Sequence, residues 1–437
     1  MLTAFTRAFK TPDLRKKLLF TLGIIVLFRL GSLVPVPGVS YTAVQNCLAD
    51  APKNTGVLGL ANLFSGGALL QLSIFALGIM PYITASIIVQ LLTVVIPRFE
   101  ALKKEGQQGQ AKMTQYTRYL TIGLAVLQSS TLITFAQNPQ SLFGATCTNI
   151  LSNDSIPTLV IMVLTMTAGT GLVMWMGELV TDKGIGNGMS LLIFTSIAAT
   201  FPSSLWAIQQ QEGRWDIFLG VILLGFLIIA LVVFVEQSQR RIPVQYAKRQ
   251  VGRQMYGGTS TYIPLKVNMA GVIPVIFASS LLALPTLIAQ FNRSATGDQP
   301  GWVTWIDQHL VTGDDPVYML IYIGLILFFT FFYVSITFNP TEVADNMKKY
   351  GGFIPGIRAG RPTAEYLDYV ITRITVPGAI YLGLVSLIPL IALVLVGANQ
   401  NFPFGGTSIL IIVGVGLETV KQIESQLQQR HYEGFLR

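Results

Sequence analysis

The sequence predicts an all-α polytopic membrane protein: ten transmembrane helices in two inverted, pseudo-symmetric halves of five, plus a re-entrant half-helix. Three observations predict it. Only 11% of the 437 residues are charged and 51% are hydrophobic, with a mean hydropathy of +0.58, whereas a soluble domain carries roughly 25% charged residues. The charges are bunched between long charge-free runs, and a bilayer-crossing helix needs about 20 mostly apolar residues. A nine-residue pattern starting at Gly78 returns at Gly271, an offset of 193. The composition excludes disorder, a collagen-like chain and a disulfide scaffold.

The elements follow in chain order. A basic segment (Arg7, Lys10, Arg15, Lys16, Lys17) precedes an apolar run over 18–36, interrupted only by Arg29. That run ends at Val34-Pro35-Val36-Pro37 with no small-residue cleavage motif, so it reads as a retained first span and not a signal peptide. The stretch 54–97 is too long for one crossing; Gly66-Gly67 divides a short apolar piece, Leu58 to Ser65, from a full span over about 72–95. The short piece is expected to re-enter from one side, and backbone of that kind is tolerated at membrane depth only inside protein or against water. Charge-free runs at 119–153, 155–177, 184–211, 217–235, 267–292 and 316–341 supply one span each. The last stretch, 374–417, breaks at the turn formers of 397–406 into spans over 374–396 and 404–420. Residues 1–213 then form one half and 214–437 the other.

With ten spans both termini share a side, expected to be the cytoplasm. On that assignment 25 of the 29 Lys and Arg residues are cytoplasmic, while only Lys53, Arg214 and Arg293 lie outside, among eight acids. This is the asymmetry of the positive-inside rule. Two cytoplasmic loops are long and basic: 236–266 carries Arg240, Arg241, Lys248, Arg249 and Arg253, and 342–373 carries Lys348, Lys349, Arg358 and Arg361. Topology and attraction to anionic lipid account for any one of these charges. Together the loops predict a docking surface for a large phosphate-rich or acidic partner, met without sequence readout.

In the repeat, Gly78-Ile79-Met80-Pro81-Tyr82-Ile83-Thr84-Ala85-Ser86 aligns with Gly271-Val272-Ile273-Pro274-Val275-Ile276-Phe277-Ala278-Ser279. Halves of five spans are necessarily inverted, and inverted repeats mark proteins whose pathway lies between the halves. Each Pro breaks the helical ladder, so both spans should bend or start anew there. A solute carrier, the competing class, needs polar or ionisable groups at the midplane, yet Arg29 is the one clear intramembrane charge; Glu178 and Glu236 fall at cytoplasmic ends. The candidate lining is apolar (Ile79, Ile83, Ile193, Ile276), and such a constriction gates by dewetting. Catalytic, metal and cofactor motifs are absent: His309 and His431 sit in a loop and a tail, and there is no phosphate loop. Gly184-Ile185-Gly186-Asn187-Gly188 has Met189 where a nucleotide fingerprint needs a third Gly, and reads as a tight polar start to the fifth span. Cys47 and Cys147 both fall outside, where pairing and independent thiols stay equally open.

Many motifs in one order carry a resemblance along essentially the whole chain. They are Phe64-Ser65-Gly66-Gly67-Ala68-Leu69, Gly78-Ile79-Met80-Pro81-Tyr82-Ile83, Gln115-Tyr116-Thr117-Arg118-Tyr119, Gly184-Ile185-Gly186-Asn187-Gly188, Tyr246-Ala247-Lys248-Arg249, Pro264-Leu265-Lys266-Val267-Asn268-Met269-Ala270-Gly271, Phe338-Asn339-Pro340, Ala344-Asp345-Asn346 and Gly405-Gly406-Thr407-Ser408. The chain resembles the SecY family, channel subunits of the bacterial Sec translocon. The resemblance implies a gated conduit for unfolded secretory polypeptides, not an enzyme, in the bacterial cell membrane. It implies a pore ring at Ile79, Ile83, Met189, Ile193, Ile276 and Ile411, with Met189 departing from the usual branched aliphatic. It implies a plug around 58–70, including Leu58, Leu60, Asn62, Phe64, Ser65, Gly66 and Gly67. Spans 2 and 3 against 7 and 8 match a lateral gate, with Gln90 and Asn268 as a polar pair biasing it closed. The basic loops match the docking surface for the ribosome and the motor ATPase SecA, Arg358 being its most sensitive position. SecE, SecG, signal-sequence-bearing polypeptides and anionic lipids are the other implied partners, with no cofactor.

Overall fold

The structure is a computed structural model that describes residues 9–50, 65–137, 147, 150–151, 153–212, 215–246, 249–251, 254–256, 260–291, 300–311, 315–396 and 406–433. The expected plug residues Leu58, Leu60, Asn62 and Phe64, and the expected docking residues Lys248 and Arg253, lie outside them.

Helices dominate: α1 (Pro12–Gly31), α2 (Tyr41–Asp50), α3 (Met80–Val95), α4 (Pro97–Lys104), α5 (Gln107–Gln137), α6 (Ile156–Lys183), α7 (Gly188–Glu212) and α8 (Trp215–Gln237). After a hairpin region come α9 (Ile273–Phe291), α10 (Gly301–Ile306) with a π turn at Asp307–Val311, α11 (Pro316–Thr337), α12 (Pro340–Lys349), α13 (Arg361–Val396) and α14 (Gly406–Glu433). Proline at the first or second helical position opens α1, α3, α4, α6, α11 and α12, where its missing N–H has no helical partner to lose. Among the described residues, α6, α11 running on into α12, and α13 are long and apolar enough to cross a membrane. The pair α3–α4, bent by 99°, is a fourth, and α7, α8 and α9 contain shorter apolar stretches.

The apolar surface faces outward. On α8, Leu223, Phe226 and Phe234 are 72%, 69% and 74% exposed, which water would not tolerate as a contiguous patch and lipid does. Hydroxyls inside these helices bond back to their own backbone: Thr121 to Thr117 O, Thr170 to Met166 O, Thr195 to Leu191 O and Thr330 to Ile326 O. That satisfies them where no water competes.

Two expectations are corrected. The second span's helix starts at Met80, not near 72. Residues 65–79 are a succession of turns, with Gly66, Gly67, Leu72 and Gly78 at positive φ. The segment is buried (Ala68 and Ala76 at 0%), as non-helical backbone at that depth must be; it pairs with the chain after α1 through Val36 N to Leu72 O and Ile74 N to Val34 O, 3.0 and 2.9 Å. The fold is also not purely α. β1 (Gln239–Tyr246) lies between β4 (Ser260–Lys266) and β5 (Gly352–Phe353) in an antiparallel sheet, and β2 (Arg249–Val251) pairs with β3 (Gln254–Tyr256). Alternate β1 side chains, Ile242 and Val244, are buried; Ile242 packs with Leu265, Val334, Ile354 and Leu367, the period of two that a half-buried strand requires.

Cys47 and Cys147 are joined in a disulfide, Cα–Cα 5.6 Å, so the pairing left open by the sequence is made. It closes a loop with a sequence separation of 100, which on the chain-entropy account is worth about 4–5 kcal/mol against the unfolded chain. Both sulfurs belong to the apolar cluster that seats Leu69, Leu72 and Leu77.

Candidate functional site

The two copies of the repeat adopt the same local structure. Gly78 and Gly271 both take positive φ, +54° and +61°, and α3 and α9 start two residues later with Pro second. The opening bonds correspond as well: Tyr82 N and Ile83 N donate to Ile79 O, and Val275 N and Ile276 N donate to Val272 O. Each helix therefore starts anew at its Pro, as expected, because a Gly in the left-handed region ends the preceding backbone direction.

These starts converge on one apolar cluster. Ile79 and Ile83 from α3 and its cap, Met189 and Ile193 from α7, Ile276 from α9 and Ile411 from α14 all belong to it, together with α1 residues Ile24 and Phe28. Ile79, Ile193 and Ile411 are only 2%, 5% and 2% exposed, and the half-buried Ile83, Met189 and Ile276 pack against them. Met189 sits differently from the others: its Sδ fills the space that a Cβ on Gly177 would occupy, so it leans toward α6. The start of α7 is tight and polar, as read from its sequence. Asn187 Oδ1 accepts from Met189 N and Ser190 N, Thr181 Oγ1 accepts from Gly188 N at 2.9 Å, and Gly188 lies against the Gly177 carbonyl. Only glycine permits that approach of α7 to α6.

The polar residues find partners other than the expected one. Gln90 Nε2 donates to Ser86 Oγ, one turn back on its own helix, at 3.4 Å. Asn268 is 3% exposed; its Nδ2 donates to Glu236 Oε1 at 2.6 Å and to Gly271 O at 3.1 Å. The bonds described for Gln90 and Asn268 thus run to Ser86, Glu236 and Gly271, with the carboxylate of Glu236 at the end of α8 the strongest of these acceptors. Sequence reasoning placed Glu236 correctly at a helix end but gave it no role; the available signal was an acid closing an otherwise charge-free run.

Arg29, on α1, donates from Nη1 to Gly66 O at 2.6 Å. Ser65 and Gly66 are buried and Gly67 is half-buried. A Cβ on Gly66 would run into that guanidinium and into Ser196 Cα of α7. Arg118 forms a bidentate pair with Glu178, 2.9 and 2.7 Å, tying α5 to α6, and this bonding raises the guanidinium further above its ordinary value.

The two basic loops form one unit. β5 from the second loop pairs with β1 of the first (Gln245 with Phe353, Tyr246 with Gly352). Arg240, Arg241, Lys348, Lys349 and Arg358 are exposed; Arg241 lies over the Tyr262 ring at 4.9 Å. Arg249 contributes its backbone to β2.

Comparison with known proteins follows this geometry. A sequence model of the SecY family matches residues 73–420. The chain is 68% identical over 447 residues to the protein translocase subunit SecY of Streptomyces scabiei, covering 100% of both. It is 60% identical over 443 residues to that of Mycobacterium tuberculosis (strain ATCC 25618 / H37Rv), again covering 100% of both. Among solved structures it superposes on one described as the structure of a protein conducting channel, with TM-score 0.64, 18% identity and 94% and 91% coverage. A second is Sec61 in the canine ribosome-channel complex, TM-score 0.61, 17% identity and the same coverage. At such identities these two superpositions establish a common fold.

Proposed function

The chain belongs to the SecY family, and from that premise we propose how it works: as a passive, gated, protein-conducting channel through which unfolded polypeptides cross a membrane. It is a channel subunit, not a catalyst. The observation that carries the reading is the packed apolar waist, to which four separate helices bring Ile79, Ile83, Met189, Ile193, Ile276 and Ile411. Branched aliphatic walls exclude water and ions by dewetting and offer no site to any one solute. They can also close around a passing chain of any sequence.

Finer features belong to the same reading. Ten spans form two inverted halves, 1–213 and 214–437, with both termini in the cytoplasm of a bacterial cell. In an inverted repeat, equivalent positions lie at mirrored depths and meet only near the midplane. Two equivalent pairs, Ile79 with Val272 and Ile83 with Ile276, do share the waist cluster, which supports the inversion. The segment 58–70 plugs the outer side at rest. A signal sequence enters between α3 and α9, with burial of its side chains in lipid worth about 0.8 kcal/mol per CH₂; this differential binding shifts the closed–open equilibrium. Energy comes from the ribosome or SecA, docked on the basic sheet, with SecE and SecG as companion subunits.

Ile83→Asn and Ile411→Asn test the waist. Each places an amide in the apolar cluster, so resting ion leak should rise and precursors with defective signal sequences should be exported more readily. Wild-type leak and wild-type selectivity in both variants would refute the reading. A solute carrier would instead show saturable flux of a specific solute in proteoliposomes.

A further inference from the structure

We propose that Glu236 is a positioning residue for gating: its carboxylate latches the opening turn of α9 to the end of α8 and so holds the channel closed by default. This deepens the reading above and rests on α9 being a gate helix. The geometry is local and specific. The chain passes Glu236 in the last turn of α8, runs through the β1–β4 hairpin and returns to α9 through Val267 and Asn268. The neck of that hairpin is closed by Gln239 paired with Lys266 and by Val267 N donating to Ser238 O at 3.0 Å. The next link inward is the Asn268 amide, which spends both N–H groups on Glu236 Oε1 and Gly271 O. Its Oδ1 is buried without a hydrogen-bond partner among the described residues. Without Glu236 this buried amide would keep a single bond, to a glycine whose positive φ sets the direction of α9. On the other side, Gly378 of α13 lies directly against the Val267 carbonyl. The turn is therefore gripped between α8 and α13, and Glu236 supplies a charged contact to it.

A bond from a buried amide to a half-buried carboxylate is stronger than one between neutral groups, and removing the carboxylate leaves the buried amide short of a partner. If the closed state uses it, losing it should favour opening by at least about tenfold. The experiment compares Glu236→Leu, Glu236→Gln, Asn268→Asp and the double variant Glu236→Gln/Asn268→Asp in full-length channel in cell membranes. The readout is export of a precursor with a defective signal, normalised to a wild-type precursor and to channel abundance. Glu236→Gln keeps an acceptor but gives up its charge, so defective-signal export should rise by about fivefold, less than in Glu236→Leu. Glu236→Leu, and Asn268→Asp with two carboxylates facing each other, should raise defective-signal export at least about tenfold. The double variant again sets an amide against a carboxylate between 236 and 268 but leaves Gly271 O without its donor, so it should be clearly more stringent than Asn268→Asp without reaching wild type, a partial rescue that a merely structural role does not predict. It also decides the matter should Glu236→Leu fail to accumulate. A parallel arm joins cysteines at Ile87 on α3 and Ala278 on α9, which share one apolar cluster, with a bifunctional thiol reagent, the joined product being verified first. If the bridge blocks export while all variants keep wild-type stringency, the latch is overturned and the gate stands. If the bridge leaves export untouched, the gate reading falls and the latch with it.

Discussion

Asp315 caps α11: its Oδ1 accepts from Val317 N at 2.7 Å, and its Oδ2 lies 2.6 Å from His309 Nδ1. These bonds hold the carboxyl below the usual carboxylate range, the His309 contact counting most. A depressed value in the fold means that the stabilisation is full above the ordinary aspartate value of about 3.9 and is lost as pH falls through the lower folded value. Asp315→Asn keeps a capping oxygen and removes the titration. The stability gap between wild type and this variant should be present at neutral pH and vanish in strong acid; thermal unfolding of the solubilised protein across pH measures it, and a gap unchanged in acid contradicts the assignment. Other residues were less legible from sequence. Polarity in hydrocarbon announced that Gln90 and Asn268 must find partners, but a partner is a matter of three-dimensional proximity, and Glu236 lies 32 residues from Asn268. The waist isoleucines carry no signal of their own in composition, since an apolar side chain looks the same facing lipid, core or pore. The Cys47–Cys147 pairing was undecidable for the same reason.

At the level of elements, the repeat was the most informative feature of the sequence. Pro81 and Pro274 fixed where α3 and α9 begin, because a missing N–H and a ring clash act locally. The start of the second span was misplaced because 65–79 is apolar for burial, not for helix formation: hydropathy measures exclusion from water and is silent on backbone conformation. The sheet was passed over because the loop's charges were read and its alternation, Ile242 and Val244 against exposed neighbours, was not. The repeat also yields a clean test. Gly271 has open space where a Cβ would stand, so Gly271→Ala meets no clash and only the left-handed backbone opposes it. It should lower stability by roughly 1–2 kcal/mol. Gly324→Ala, in the interior of α11 with equal space and no positive φ, should be neutral or stabilising by up to about 1 kcal/mol. Equal effects of the two in chemical unfolding would show that the turn before α9 does not need its glycine.

For the molecule as a whole, membrane class and repeat were legible, since bilayer thickness acts on long stretches of sequence and the repeat spans both halves of it. What sequence could not supply was convergence, namely that helix starts far apart in the chain reach one packed point. That convergence is the central claim, and a translocating chain reports on it directly. A secretory precursor stalled midway should form cross-links to photoreactive side chains placed at Ile79, Ile83, Ile193, Ile276 and Ile411, and none to probes at Leu223 or Phe226 on the outer face of α8. Cross-links on that outer face with silence at the five isoleucines would mean that polypeptide does not pass between the helices gathered there.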